Sequence, residues 1–390
     1  MSPEAVSSRI VLVTGVSRHL GAVVAARIAA DPGVERVIAV DTKPPEGEAA
    51  ALLREPSEHA RARSGRRRVP GSTALASNIE FVRADIRNPL IAKVIVGSGT
   101  DTVVHMGVLA SAATGSGRAA EKELNVIGTM QLLAACQKAE PVRKLVVKSS
   151  VAAYGVSPRD PAIFTEDTAP RELPRGGYAK DIVEIEGYVR GFQRRRGEVD
   201  VTVLRFAPFI GSRADTTLTR YFSLPLVPTA LGYDPRMQFL HADDALEVTH
   251  RSVMADHPGV YNVAGDGVLL LSQAIRRAGR TPLPVPEIGL SGAASFAKRS
   301  GLIDFSLDQL DFLVHGRVVD TSRLIQEYGY RPRSTADAFD DFVRGHNLSS
   351  MISPDNVAAV EHVLLDQIRQ ARESFLGEPV GARARGGGEA

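Results

Sequence analysis

The chain contains the stretch Ile10-Val11-Leu12-Val13-Thr14-Gly15-Val16-Ser17-Arg18-His19-Leu20-Gly21, and the apolar run 22–26 follows it. The β-branched residues before Thr14 predict a short buried strand, and the apolar spacing after Gly21 predicts a helix. A glycine turn at such a junction lets backbone N–H groups approach an anion at the positive end of the helix. The stretch therefore predicts the first unit of a dinucleotide-binding fold, with Gly15 in the tight turn and Gly21 at the close helix contact.

The next apolar run, residues 37–40, ends at Asp41, which lies 20 positions after Gly21. A carboxylate at this point accepts hydrogen bonds from the adenosine ribose and repels a 2′-phosphate, so we expect NAD rather than NADP. Ser17, Arg18 and Leu20 are expected to line the same site. The Arg18 guanidinium is predicted to bind the pyrophosphate, the alternatives being a 2′-phosphate contact or a solvent-facing turn.

Farther along the chain, short β-branched runs alternate with longer helical patterns. This alternation predicts repeated βαβ units and hence an α/β fold, a Rossmann-type doubly wound parallel sheet with a smaller C-terminal substrate-binding domain. The predicted strands are 10–13, 37–40, 79–82, 102–105, 145–148 and 201–204, and the predicted helices include 22–30, 119–138 and 182–195.

The domain boundaries follow from the same pattern. We expect residues 1–207 to form the cofactor domain, with 239–264 returning to it, and residues 208–238 and 265–345 to form the smaller domain. Residues 44–77, rich in Arg, Pro, Gly and Ser, are predicted to be a flexible insertion. A helical extension at 346–376 and a disordered tail at 377–390 complete the prediction.

Composition limits the classes of function. The chain has 390 residues, 44% of them hydrophobic, and a net charge of +2, which gives no broad electrostatic reason to expect nucleic acid. The single cysteine, Cys136, rules out an internal disulfide framework and a cysteine-rich metal site, and no metal is expected. No secretion signal is recognised, and no apolar run approaches the roughly 20 residues of a membrane span. We therefore expect a cytoplasmic protein.

A series of short motifs follows the glycine turn in a fixed order. They are Asp85-Ile86-Arg87, Val103-Val104-His105-Met106-Gly107, Asn125-Val126-Ile127-Gly128-Thr129, Ser149-Ser150-Val151-Ala152-Ala153-Tyr154-Gly155, Arg205 to Gly211, His241-Ala242-Asp243-Asp244, Tyr261-Asn262-Val263 and Asp320 to Pro332. Over roughly residues 9–345 the chain resembles the extended short-chain dehydrogenase/reductases, the NAD-dependent epimerase/dehydratase family. The middle glycine of that family's TGxxGxxG loop is replaced by Arg18.

The resemblance implies roles for several residues. Asp85 and Ile86 are expected at the adenine, His105 beside the nicotinamide ribose, and Asn125 and Ser149 elsewhere in the cofactor site. Ser150 is expected to hydrogen-bond the reacting oxygen. Lys180, followed by Glu184 as in the family's KxxxE helix, is expected to bind the nicotinamide ribose and to lower the pKa of a catalytic tyrosine.

That tyrosine is missing from its usual place. The family has it four residues before the lysine, where this chain has Gly176. Tyr178 is the candidate substitute, provided that it enters from a loop, because residues two apart on a regular helix lie about 200° apart. The alternatives are a packing role for Tyr178, with Tyr154, His105 or Asp181 as the acid/base.

The resemblance to the UDP-glucose 4-epimerase branch implies a nucleotide-sugar substrate and UDP-hexose 4-epimerisation by transient hydride transfer. Two alternatives stay open: an NAD(P)-dependent ketone or alcohol oxidoreductase, and a catalytically silent NAD-binding sensor or partner protein. The resemblance also implies a homodimer formed through the helices near 124–137 and 182–193.

Overall fold

The structure of the chain is a computed structural model. An eight-stranded sheet forms the centre of its fold. Its strands stand in the order β12-β7-β6-β5-β1-β2-β4-β3, and every neighbouring pair is parallel except β3 with β4. The fold class predicted from the sequence is confirmed. The structure describes residues 9–54, 69, 71–76, 78–109, 118–170, 174, 177–285 and 312–348.

The sheet strands are short and mostly buried, as expected for strands covered by helices on both faces. Their bounds are β1 Ile10–Thr14, β2 Arg36–Asp41, β3 Thr73–Ala74, β4 Ile79–Arg83, β5 Thr102–His105, β6 Lys144–Ser150, β7 Asp200–Phe206 and β12 Gly259–Val263. Strand order reverses between β1 and β5, and this is the place where open α/β sheets form a ligand crevice.

Helices cover both faces of this sheet. One face carries α1 His19–Ala29, α2 Gly47–Arg54 and α8 Ala242–Met254, and the other carries α3 Ile91–Ser98, α5 Gly128–Lys138 and α6 Gly177–Arg195. The predicted helix at 119–138 is divided: α4 Arg118–Lys122 is followed by a π-helical turn at Glu123–Ile127, and α5 then continues. Such turns often occur at functional sites.

A second, smaller core lies beyond the carboxyl end of β7. Its centre is aromatic, with Phe222 packed edge-on against Phe239 and Phe339 at ring distances of 5.9 and 5.0 Å. The elements around it include β8 Phe209–Ile210, α7 Thr217–Ser223, β9 Leu226–Ala230, β10 Arg236–Met237, β11 Leu240–His241, β13 Leu269–Leu270, α9 Leu271–Arg277, β14 Thr281–Val285 and α11 Thr335–Gly345. The helix α10 Ser322–Tyr328 packs instead on the large sheet.

The segment predicted as a flexible insertion is partly ordered. Residues 47–54 form α2, whose Leu53 is completely buried against the α1 face of the sheet. The small residues before Leu53 allow this helix to pack closely, so the expectation of a loop was wrong there. The arginine-rich residues 55–68, Gly176 and residues 349–390 lie outside the described part of the chain.

Candidate active site

The glycine turn after β1 is built so tightly that two of its residues admit no side chain. Gly15 has φ +80°, and a Cβ there would lie 2.8 Å from Cα of Gly107. A Cβ on Gly21 would lie 2.2 Å from the carbonyl oxygen of Gly15. The loop is therefore drawn under the first turn of α1, which has no acidic residue and no side-chain cap at Arg18. The unpaired N–H groups of this first helical turn and the Arg18 guanidinium suit an anion.

Asp41 lies at the carboxyl end of β2 and faces this turn. Its Oδ2 accepts hydrogen bonds from the backbone N–H of Ser17 at 2.9 Å and from the Ser17 hydroxyl at 2.7 Å. Its other oxygen accepts from the backbone N–H of Thr42. The carboxylate is thus fixed beside the turn, where ribose hydroxyls would meet it. Leu20 packs partly buried against the α1 side of the sheet.

The residues predicted at the adenine occupy two different environments. Asp85 holds Arg87 through several hydrogen bonds between 2.6 and 3.0 Å, and these bonds lower the pKa of the Asp85 carboxyl. Ile86 is buried, and its side chain leaves no room for a Cβ on Gly128 of α5. Ile86 therefore fixes the start of α5 against the loop after β4.

His105 at the end of β5 is a buried neutral side chain. Its Nδ1 and Nε2 are 2.8 and 2.9 Å from the hydroxyls of Thr14 and Thr129. Burial, with a smaller contribution from the charge of Lys148, lowers the pKa of His105 to about 4. An imidazole held by two hydroxyls and unable to gain a proton near neutral pH does not suit acid/base catalysis.

Asn125 lies in the π-helical turn and is completely buried. Its amide oxygen accepts from the N–H of Leu109 at 2.9 Å, and its amide nitrogen donates to the carbonyl of Leu109 and to Asp181. Asp181 in turn receives two hydrogen bonds from Arg118. Asn125 therefore holds the chain after β5 against α6, and its polar atoms are engaged within the protein.

Ser149 and Ser150 point to opposite faces of β6, as successive strand residues do. The Ser149 hydroxyl donates to the buried Glu186 carboxylate at 2.6 Å, and Glu186 also pairs with Arg205 at 2.7 Å. The structure thus directs Ser149 into the α6 interface instead of the cofactor crevice. Ser150, partly buried, accepts from the N–H of Ala152 at 3.1 Å and keeps its hydroxyl at the strand end.

Tyr178 meets Ser150 although it lies on a helix. α6 begins at Gly177, whose φ is +67°, so Tyr178 is already its second residue and does not enter from a loop as the sequence suggested. The Ser150 hydroxyl lies near the Tyr178 phenol, close enough to lower the pKa of that phenol. Burial raises the pKa of this phenol above its usual value, against the smaller opposing effect of the Ser150 hydroxyl, so the phenol is protonated at neutral pH.

Lys180 is not brought to this pair. The buried stripe of α6 includes Asp181, Ile182 and Ile185, and Tyr178 continues it at helical spacing. Lys180 lies two residues after Tyr178 and is exposed, on the same side as Glu184, which pairs instead with Lys122 at 3.4 Å. The regular helix therefore separates Lys180 from the phenol, contrary to the expectation that both serve one site.

The other acid/base candidates are occupied elsewhere. The Tyr154 hydroxyl donates to the Asn262 side chain at 2.7 Å and to the carbonyl of Thr165, and its ring stacks on Phe164 at 4.7 Å. Asp181 is fully buried and paired with Arg118. Of the four candidates, only Tyr178 stands beside Ser150.

The sequence reasoning missed Lys148. It lies on β6 two residues before Ser150, and its ammonium donates a 2.8 Å hydrogen bond to the carbonyl of Val108, in the segment after β5. The signal was present in the sequence, because a lysine interrupts the apolar pattern of a central strand just before its polar end.

The family model described as the NAD dependent epimerase/dehydratase family matches residues 11–264. The chain belongs to this family. The match spans the large sheet from β1 to the end of β12 and includes the glycine turn, Asp41, Ser150 and Tyr178.

Relatives of this family member occur in mycobacteria. The uncharacterized proteins Rv0501 of Mycobacterium tuberculosis and Mb0513 of Mycobacterium bovis are each 47% identical to it over 354 residues, covering 90% of this chain and 88% of theirs. Their names assign no substrate.

Solved structures with the same fold include nucleotide-sugar enzymes. UDP-glucuronic acid 4-epimerase from Bacillus cereus has a TM-score of 0.61 and 17% identity, covering 87% of this chain and 99% of that one. UDP-N-acetylglucosamine 4-epimerase from Methanobrevibacter ruminantium has a TM-score of 0.62 and 16% identity, covering 87% and 98%. UDP-glucose 4-epimerase from Thermotoga maritima has a TM-score of 0.59 and 18% identity, covering 87% and 98%. At this identity the likeness concerns the fold.

The described residues contain neither a membrane-spanning helix nor a cluster of metal-binding side chains. None of the described helices is long and apolar enough to cross a membrane. Within the same residues, no group of three or more His, Cys, Asp or Glu side chains is arranged to hold a metal ion.

Proposed function

We propose that the protein is an NAD-dependent nucleotide-sugar 4-epimerase, with a UDP-hexose as substrate, in which Tyr178 and Ser150 act on the reacting hydroxyl. The observation that carries the proposal is the meeting of these two side chains at the carboxyl edge of the sheet. A phenol and a serine hydroxyl beside a dinucleotide crevice suit proton transfer to and from a sugar oxygen. The family and the substrates named for its structural neighbours support the same class of reaction.

The crevice has a donor set that fits a dinucleotide. The uncapped first turn of α1 and the Arg18 guanidinium suit the pyrophosphate, and Asp41 suits the adenosine ribose. A carboxylate at that place disfavours a 2′-phosphate, which supports NAD over NADP. When bound, NAD supplies a hydride acceptor and, in its oxidised form, a positive charge.

The chain's own residues would move and hold the proton. Burial raises the pKa of the Tyr178 phenol, so the phenol needs a nearby positive charge before it can act as a base. Ser150 would hydrogen-bond the same substrate oxygen and hold it at the phenol. Asp181 lies near enough to raise the pKa of Tyr178 further, but its pairing with Arg118 counters that charge.

The test is proton NMR of the purified protein with NAD and, in separate tubes, UDP-galactose and UDP-glucuronic acid. Appearance of the anomeric signal of the 4-epimer supports the proposal. Tyr178→Phe is expected to slow this conversion by roughly 10²–10⁴-fold, the usual contribution of a general acid/base. Tyr188→Phe, a matched change on the exposed side of the same helix, should keep the rate within about twofold.

Other outcomes of the same experiment favour the alternatives. Net formation of NADH with an alcohol, or net consumption of NADH with a ketone, without epimer, would favour a simple oxidoreductase. Saturable NAD binding with no conversion of any sugar would favour a silent NAD-binding protein. Equal rates for Tyr178→Phe and the wild type would remove Tyr178 from the mechanism.

We also propose a homodimer formed through α5 and α6, as the family resemblance implies. One apolar side chain near this surface, Ile127, is 39% exposed. Light scattering behind a sizing column should give twice the mass of the 41.7 kDa chain. A mass of one chain at micromolar concentration would contradict the proposal.

A further inference from the structure

Lys148 lies on the same face of β6 as Ser150. Val146 packs in the core on the α1 side of the sheet, whereas Leu145 and Val147 pack in the core on the α6 side. Alternation places Lys148 with Val146 and Ser150. Two strand residues span roughly 6.6 Å, so the side chains of Lys148 and Ser150 rise side by side at the strand end.

The Lys148 ammonium reaches the crevice where strand order reverses. Its hydrogen-bond acceptor, Val108 O, lies next to Gly107, and Gly107 is the residue that closes on Gly15 of the glycine turn. The ammonium therefore stands between the glycine turn after β1, the chain leaving β5 and the end of β6. These three elements border the predicted dinucleotide site.

The charge of Lys148 is not neutralised within the described part of the chain. No carboxylate among the described residues lies within ion-pair distance of it, and its ammonium donates to one carbonyl, that of Val108. Burial and the positive charge of Arg18 lower the pKa of Lys148 to about 8. Two cations that converge on one crevice without a carboxylate between them form a site for an anion or an electron-rich ligand.

We propose that Lys148 is the cation that contacts the bound dinucleotide beside Ser150, the role that the sequence had suggested for Lys180. This inference rests on the proposed NAD-dependent function. An ammonium here would donate to phosphate or ribose oxygens. Because Ser150 adjoins both Lys148 and Tyr178, the same charge would favour the ionised phenol that the reaction needs.

The test compares NAD affinity in three variants by isothermal titration calorimetry at pH 7. Lys148→Met keeps the length and apolar stem of the side chain but removes its charge, and we expect NAD to bind roughly 10–100-fold more weakly, as for the loss of a charged hydrogen bond. Lys180→Met should change the affinity by less than about twofold. Lys138→Met, an exposed change at the end of α5, is the control.

Wild-type affinity in Lys148→Met, or a larger loss in Lys180→Met, would overturn the inference. Melting temperatures of the free proteins separate a binding defect from a folding defect. Lys148→Arg provides a second variant, since it retains the charge and should bind NAD more tightly than Lys148→Met.

A proton count provides a measurement that does not depend on folding of a Lys148 variant. Ligand oxygens should raise the pKa of Lys148, so NAD binding at pH 8 should take up a fraction of a proton, visible as a dependence of the binding enthalpy on the buffer. The charged or titratable groups acting on Lys148 from neighbouring elements are Arg18 and His105, and the pKa of His105, about 4, keeps that imidazole neutral. Use of the Tyr178→Phe background removes the phenol. Absence of proton uptake there would contradict the inference.

The two proposals fail in distinguishable ways. If the wild type binds NAD but converts no sugar, the proposed reaction fails while Lys148 is still tested through affinity. If the wild type epimerises and Lys148→Met matches it in NAD affinity, the function stands and the inference falls. If NAD does not bind at all, both are overturned.

Discussion

The two lysines of β6 lie four residues apart on one face of one strand, yet their surroundings differ completely. Lys144 begins the strand, is 1% exposed, pairs with Asp256 at 2.8 Å and donates to the carbonyls of Val253 and Ala255. Lys148, near the strand end, donates to the carbonyl of Val108 beside a crevice. The lysine at the amino end of β6 thus stabilises the fold, whereas the lysine at the carboxyl end is the one that we propose to contact a ligand.

The largest expected difference between a side chain that stabilises the fold and one that acts at the proposed site is the difference between the adjacent serines Ser149 and Ser150. Ser150→Ala removes the hydroxyl beside Tyr178, so kcat for the proposed reaction should fall by roughly 10²–10³-fold, as for loss of one positioned hydrogen-bond donor. The lost cap on Ala152 should cost only about 1 kcal/mol in the free energy of unfolding. Steady-state kinetics and urea unfolding measure both quantities.

Ser149→Ala is the matched control for that prediction. It breaks the hydrogen bond to Glu186 in the α6 interface and should lower the free energy of unfolding by about 1–2 kcal/mol with kcat largely retained. A larger loss of kcat in Ser149→Ala than in Ser150→Ala would show that the two faces of β6 have been assigned the wrong way round.

At the amino edge, Lys144→Met should destabilise the fold without changing NAD affinity. The substitution leaves two carbonyls and the carboxylate of Asp256 without their ammonium. Because Asp256 is partly exposed, we expect a loss of about 2–3 kcal/mol, less than for a fully buried pair. Urea unfolding and NAD titration test this, and an affinity loss with unchanged stability would reverse the comparison.

Asp41→Ala tests the carboxyl edge at the other end of the crevice. Removing the carboxylate removes its repulsion of a 2′-phosphate, so the ratio of NADP to NAD affinity should rise about tenfold, or ~1.4 kcal/mol. Ser17→Ala keeps the carboxylate while removing one of its partners and should change this ratio little. An unchanged ratio in Asp41→Ala would place the ribose elsewhere.

The smallest expected effect concerns Asp200, the first residue of β7. Its carboxylate oxygens are buried without a hydrogen bond of normal geometry, and burial, with a smaller contribution from the neighbouring Asp256 carboxylate, raises the pKa of Asp200 to about 6. Because the folded state holds this proton more tightly than the unfolded chain does, stability from this group is lost as pH rises from about 4 to 6. Asp200→Asn should therefore stabilise the protein by ~1 kcal/mol at pH 8, a gain that fades below pH 4.

Thermal unfolding of Asp200→Asn and the wild type across pH 4–8 measures that difference. We expect this gain in the free energy of unfolding to be smaller than the pKa shift alone would give, because Asp200 is only partly buried and Lys144 opposes the effect of burial. A constant difference at all pH values would show that packing, not ionisation, separates the two proteins.

Much of the candidate site could be predicted from the sequence, because several of its residues are positioned by the secondary structure next to them. A strand, a glycine turn and a helix determine where Gly15 and Gly21 must lie, and a strand end determines Asp41. Ser150 follows in the same way from the end of β6. These positions depend on neighbours in the sequence, and elementary backbone geometry describes them.

Other assignments failed where helix phase or packing decided them. The stripe formed by Tyr178, Asp181, Ile182 and Ile185 has helical spacing, which places Lys180 outside it. The KxxxE motif around Lys180 predicts instead that the lysine and the tyrosine share one site. The helix α2 could not be predicted in the same way, because it depends on the packing of Leu53 against a core formed by distant parts of the chain.

The sequence by itself determined the doubly wound sheet, the dinucleotide turn and the family, because each follows from the order and period of apolar residues and glycines. Only the tertiary structure decided which side chains share the reactive end of the crevice. A helix beginning at Gly177 turns Tyr178 toward Ser150 and Lys180 toward solvent, and strand pairing brings Val108 to Lys148. These contacts join residues 28 to 40 positions apart, and only packing sets the distances between them.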